Sequence, residues 1–168
     1  SIKQAAEFRI TRGGTKLAGL LVFVTDIHSL GLERSQGLNL TEAFYWDLND
    51  RTREFSKRFA ARFNGKVPTS VQAGFYSATL AYLNAVKATG SDDADKVMAS
   101  MKASKWDDPI FGPSYVRADG RKMHNMYLFE VKKPEESKGP WDYYKQRAVI
   151  PAEGAFRPEK DGECSLVK

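Results

Sequence analysis

The sequence predicts an α/β fold, and three observations carry that reading. A continuous apolar run, "LAGLLVFV" at Leu17 to Val24, has the length of a strand and the unbroken hydrophobicity of one buried on both faces. Three segments between residues 51 and 105 show helical spacing of apolar side chains, each with a recognisable start or stop. A pair of extended stretches then flanks Ala118-Asp119-Gly120, a strong turn signal.

Taken in order, "SIKQAAEFRI" places Ile2, Ala5, Ala6 and Phe8 near one helix face, and Gly13-Gly14 supply a stop. Leu17 to Val24 is the first strand. "IHSLGLERSQG" is a short helix or loop, and "LNLTEAFYW" is a second extended segment. Asn49 or Asp50 caps a helix over 51–63, in which Phe55, Phe59 and Phe63 recur every four residues. Pro68-Thr69-Ser70 opens the next, Val71 to Thr89, with Gly90 as its stop. Its apolar residues form two stripes, so it is covered on more than one side. Ser91-Asp92-Asp93 caps a third, with Val97, Met98 and Met101 inward. Strands lie either side of the turn at 118–120. From Pro134 onward the chain reads as a long surface tail held by Trp141, Tyr143 and Tyr144. The helices outnumber the strands on which they can lie.

With 168 residues and 42% hydrophobic content the chain is long enough for a sizeable core. No apolar run approaches the roughly 18 residues of a membrane-spanning helix. No basic-then-apolar leader opens it, which fits a cytosolic protein or a mature or trimmed form. The single cysteine, Cys164, is a free thiol, an intermolecular partner, or half of a pair completed elsewhere. The net charge of +5 permits an acidic partner, but Arg51, Arg53, Lys57, Arg58 and Arg62 most simply form a solvated helix face rather than a nucleic-acid patch.

Few residues promise chemistry. His28 and His124 are the only histidines and lack neighbours at metal-ligand spacing, so neither a metal nor a cofactor is expected. Asp26 and His28 follow the first strand, where α/β proteins gather ligands; the competing role is a helix cap or loop hydrogen bond. Ser29 beside them invites a hydrolase triad, but neighbours in one loop do not reach triad geometry and no G-x-S-x-G elbow exists. Phe44-Tyr45-Trp46 is either packing or the edge of a cleft, with the Tyr hydroxyl or Trp N–H as polar handle. Gln72, at the start of the second long helix, offers an amide to a ligand carboxylate or simply faces solvent.

The ordered set "KLAGLLVFVTDIHSLGLERSQGLNLTEAFYWD", "REFSKRFAARFNGKVPTSVQAGFYSATLAYLNAVKATG", "FGPSYVRADGRKMHNMYLFEVKKP" and "WDYYK…IPAEGAFRP" resembles the C-terminal part of the periplasmic solute-binding proteins of ABC transporters, in the branched-chain amino-acid (Leu/Ile/Val) receptor family. The resemblance implies a type I periplasmic-binding fold, two α/β lobes hinged about a ligand cleft and here truncated on the N-terminal side. It assigns residues 1–41 to the second lobe, 42–46 to a hinge crossing, 47–105 to first-lobe helices and 106–168 to the second lobe again. It places Tyr45 and Trp46 at the hinge facing the cleft, Asp26 and His28 on the second-lobe rim, and Gln72, Ala73 and Tyr76 on the helix start that meets the ligand. The implied protein is a periplasmic receptor without catalytic activity. It binds an amino acid or aromatic carboxylate by hinge closure, and its partners are a membrane permease and either a missing N-terminal half or a second copy through oligomerisation or swapping. An α/β enzyme domain with Asp26 and His28 as acid and base is the alternative.

Overall fold

The computed structural model describes residues 1–163, apart from the side chain of Arg12, and Cys164 lies outside them. The elements sort into two bodies. In the first, a four-stranded sheet has the order β1-β2-β6-β7. β2 (Asn39–Glu42) runs parallel to β1 (Ala18–Gly19) and antiparallel to β6 (Met126–Val131), which pairs with β7 (Tyr144–Ile150). α1 (Ile2–Glu7), α2 (Val24–Leu30) and α3 (Leu32–Ser35) complete this body. Its core joins Val24 and Ile27 of α2 to Leu38, Leu40, Tyr45, Phe129, Val131 and Tyr144. Leu40 and Glu42 alternate with exposed Thr41, so a carboxyl shares the buried face of β2 with a core leucine.

Two sequence expectations change here. The apolar run from Leu17 to Val24 forms only the two-residue β1, and Val24 already belongs to α2. Leu20 and Leu21 stand 98% and 79% exposed, because nothing among the described residues covers the outer face of that run. The tail after Pro134 is not simply a surface strap, since Tyr144–Ile150 is a sheet strand. Its Lys145 and Arg147 pair across to Glu130 at 3.1 and 2.9 Å. Such charges suit an edge strand and hide the apolar alternation that would announce a central one.

The second body holds α4 (Asp50–Arg62), α5 (Ser70–Thr89), α6 (Ala94–Ala103) and a separate sheet of β3 (Lys105–Asp108), β4 (Gly112–Val116) and β5 (Lys122–Met123). Asn49 caps α4, its side chain accepting from Thr52 N at 3.1 Å. Thr69 and Asp93 cap α5 and α6, and Gly90 closes α5 in the left-handed conformation at φ 60°. At the turn, Arg117 N donates to Arg121 O at 2.9 Å, and Gly120 takes φ 86°.

A buried polar clip joins this sheet to the helices. Asp108 is 1% exposed; it accepts from Lys122 Nζ at 2.8 Å, from Ser77 Oγ, and from the N–H groups of Ile110 and Phe111 at 2.9 and 3.0 Å. Burial alone raises its pKa, but these donors outweigh it and hold the carboxyl near 2. Arg51 of α4 donates to the Asp108 carbonyl at 3.0 Å. Residues 105–123 therefore pack on the helices through Asp108. Apolar periodicity locates the hairpin, but a buried carboxylate decides which body it joins.

Candidate functional site

The chain passes between the bodies twice in the described residues, from Glu42 to Asp50 and from Met123 to Met126. The aromatic triplet of the first passage is divided between them. Phe44 packs with Phe55, Ala73 and Ile110, Tyr45 packs with Phe129 and Tyr144, and Trp46 touches both groups. Phe44 and Tyr45 are 1% and 4% exposed and knit the two cores together, the packing role that the triplet's sequence also allows.

Their polar handles are also committed. Tyr45 donates its hydroxyl proton to Trp141 O at 2.8 Å and accepts from the N–H of Tyr143 and Tyr144 at 3.0 and 3.4 Å. Burial pushes the Tyr45 hydroxyl up to about 12. Trp46 Nε1 donates to the same Trp141 carbonyl at 2.7 Å. The Trp141 backbone adopts φ 72°, which a bulky side chain enters only when its surroundings fix it. His28 stacks on the Trp141 ring at 3.9 Å and its Nδ1 lies 2.7 Å from the Tyr143 hydroxyl. So His28, Tyr45 and Trp46 do converge, on the Trp141 turn.

Asp26 takes the capping role, Oδ2 accepting from Phe23 N at 2.8 Å at the start of α2. With Asp26 on a cap and His28 against Tyr143, the acid–base dyad of the alternative reading is not assembled. On the other body, Gln72 Oε1 accepts from Thr69 N at 2.9 Å in a capping box, which leaves its amide nitrogen as the remaining donor group. Ala73 is fully buried, and Tyr76 packs on Phe55 at 5.1 Å with the Arg58 guanidinium 5.9 Å over its ring.

The most informative space lies beside the crossing. A cleft of about 230 Å³ is bounded by Leu20–Phe23, Thr41–Ala43 and Met126 from the first body and by Ser70, Arg121 and His124 from the second. Glu42 is 5% exposed, with Ser70 Oγ 3.5 Å from Oε1. Burial raises its pKa to about 8, further helped by the Asp26 charge and only partly opposed by Ser70. His124 is held below its usual pKa by burial, and its Nδ1 lies 2.9 Å from Asn125 O. Because a carbonyl only accepts, Nδ1 carries the proton and Nε2 is left as an acceptor.

Sequence reasoning passes over Glu42 and Arg121 and weighs His124 only as a metal ligand. The signal available for Glu42 was a carboxyl two residues from Leu40 on the inward face of a strand. Arg121 and His124 had none, since their relevance depends on where the hairpin docks. Among the described residues no group of three or more His, Cys, Asp or Glu can hold a metal, and no helix is long and apolar enough to cross a membrane.

Two α/β bodies joined by repeated crossings, with a cleft at their junction, define a two-lobe binding fold. The family described as "Periplasmic binding protein" matches residues 1–140, and the chain belongs to it. It is similar to a periplasmic binding protein from Burkholderia mallei, with 50% identity, TM-score 0.91, and coverage of 99% of this chain and 44% of that one. A branched-chain amino-acid ABC transporter periplasmic ligand-binding protein from Burkholderia xenovorans LB400 is 46% identical, with TM-score 0.90 and coverage of 99% and 44%. An ABC-transporter solute-binding protein from Rhodopseudomonas palustris BisB5, in complex with 3,4-dihydroxybenzoic acid, is 25% identical over 90% of this chain and 41% of its own, with TM-score 0.73. The chain thus spans less than half the length of these relatives. No curated protein matches it.

Proposed function

We propose that this chain forms part of a periplasmic solute receptor of an ABC importer. The receptor takes a small amino acid or aromatic carboxylate into the junction between the two bodies and closes about the crossing at residues 42–46. The observation that carries this reading is the cleft itself, walled by both bodies and placed beside both crossings. A ligand seated there touches each body, so its binding energy favours the closed arrangement over the open one. The rigid node at Trp141 fixes the crossing on one side, while Ser70 at the start of α5 supplies wall on the other, and Gln72 and Tyr76 of the same helix are the candidates to meet a ligand beyond it.

The cleft is smaller than the roughly 300–1,000 Å³ of ordinary ligand pockets. The remaining wall comes from parts of the receptor outside this chain, in keeping with a chain that spans 44% of its Burkholderia relatives. Those parts also cover the exposed apolar side of α5. The closed complex presents itself to a membrane permease, and no bond in the solute is made or broken.

Isothermal titration of the intact receptor with a panel of amino acids, aromatic acids and aliphatic acids tests this. Saturable binding of one member, with the ligand recovered unchanged, is the expected result. Binding of none, or conversion of the ligand, overturns the proposal.

A further inference from the structure

The walls of the junction cleft differ in chemistry, and the difference names a ligand group. Glu42 is 95% buried by its 5% exposure, and no lysine, arginine or histidine lies within ion-pair distance of it among the described residues. A carboxylate so buried without a cation is strongly disfavoured, so the group rests as the neutral acid and acts as a hydrogen-bond donor. Ser70 Oγ at 3.5 Å is its one side-chain partner, which leaves that donor underused.

Arg121 lies on the same cleft from the other body. Its guanidinium sits 4.0 Å over the Phe156 ring and has no carboxylate partner among the described residues. An arginine stays charged at any ordinary pH, so closing the cleft over it requires an anion. Most of the remaining lining is apolar, with Leu20, Leu21, Val22, Phe23, Ala43 and Met126 beside the hydroxyls of Thr41 and Ser70. Asp26, the other carboxyl that acts on Glu42, is committed to the Phe23 N–H and does not line the cleft. Nothing on these walls therefore offers an ionised carboxylate to an ammonium group.

Resting on the receptor reading above, we propose that the cleft holds the carboxylate of an organic acid that needs no amino group, with Arg121 as its charge partner and the Glu42 carboxyl donating a hydrogen bond to one of its oxygens. The apolar lining takes the hydrocarbon or ring of the acid. His124 Nε2 is placed to accept from a hydroxyl substituent. Glu42 reports on occupancy through pH, because its donor proton is lost as pH rises through about 8. The other groups facing Glu42 are Asp26 of α2, Tyr144 of β7 and Ser70 of α5, with Arg121 and His124 lining the opposite wall.

The test is titration calorimetry of the intact receptor with benzoate, 4-methylpentanoate and leucine, from about pH 6 to about pH 9. The two acids bind, and leucine binds at least about tenfold more weakly than 4-methylpentanoate, which differs only by the missing ammonium. Acid affinity is level below the Glu42 pKa and falls by about tenfold per pH unit above it. Glu42→Gln keeps a donor, so it holds affinity within about threefold at neutral pH and flattens the profile. Arg121→Gln weakens both acids by about tenfold or more. Should Glu42→Gln not fold, the wild-type pH profile and the leucine comparison decide. Leucine tighter than 4-methylpentanoate, affinity that improves as pH rises, or indifference to Arg121→Gln overturns the inference while leaving a receptor in place. A wider-panel amino acid bound more tightly than every acid without an amino group does the same. A receptor that binds nothing in the wider panel contradicts the receptor reading itself.

Discussion

The two bodies bury their apolar side chains unequally. The first closes around eight buried residues, with α2 laid on its sheet and Ile27 and Val131 wholly removed from solvent. The second relies on Phe44, Phe55, Ala73 and Ile110, and its longest helix buries only Ala73, Ser77 and Ala85 out of 20 residues. On the opposite side of α5, Val71, Phe75 and Tyr82 fall within about 40° of one another around the helix axis. They are 58%, 77% and 44% exposed. A stripe so apolar and so well aligned is built for a covering surface. The lesson is that the sheet body supplies most of its own partner surface, while the helical body is held by its polar clip and by the crossing. Its apolar stripe is the face on which, under the proposed function, the rest of the receptor lies.

The sharpest way to break this comparison is at the clip. Asp108→Ala leaves Lys122 buried without a carboxylate and should cost about 3–5 kcal/mol. In urea denaturation followed by hydrogen exchange, protection should drop first over α5 and the β3–β5 hairpin while β2 and β6 hold. Equal loss in both bodies would show that they are not separable units. Glu42 contributes in the other body, with a definite sign. Its folded pKa of about 8 stands above the ordinary glutamate value of 4.5, so the folded state keeps a proton that the unfolded chain releases. This group's contribution is most favourable below 4.5 and declines as pH rises to about 8, by on the order of 4–5 kcal/mol in full. Glu42→Gln removes that slope from the stability–pH curve; a slope unchanged by the substitution would mean Glu42 is ionised in the fold. Asp108 runs the opposite way: its folded pKa of about 2 lies below 3.8, so its contribution is present above 3.8 and is lost as pH falls toward 2.

A smaller effect tests the crossing. Tyr45→Phe deletes the hydroxyl that serves Trp141 O and the N–H groups of Tyr143 and Tyr144, and should cost about 1–3 kcal/mol. It loosens the Trp141 turn, so the near-ultraviolet dichroism of the tryptophans should shift as well. The smallest change is Asn49→Ala, which removes the cap of α4 for about 1 kcal/mol. A cost as large as that of Asp108→Ala would mean that α4 propagates its stability through the whole second body.

Legibility in the sequence followed the locality of the cause. The starts and stops of α4, α5 and α6 were readable because Asn49, Thr69, Gly90 and Asp93 act within a few residues of themselves. The hairpin was readable from Asp119-Gly120. The strand expected at Leu17 to Val24 shrank because hydrophobicity alone does not say what covers a segment. β7 was missed because an edge strand carrying Lys145 and Arg147 has no apolar alternation. At the site, the sequence separates His28 from Tyr45 and Trp46, whereas their polar atoms meet at Trp141 and Tyr143. Glu42 ends β2, whereas Arg121 and His124 flank β5, and only the docking of the hairpin brings them to one cleft.

The most direct measurement is hydrogen–deuterium exchange of the intact receptor with and without a saturating bound acid. The account predicts slower exchange on both sides of the junction: around Phe23 and Thr41–Ala43 in the first body, and around Ser70 and Arg121–His124 in the second. Protection confined to one body, or spread without regard to the junction, would contradict a ligand clasped between the two.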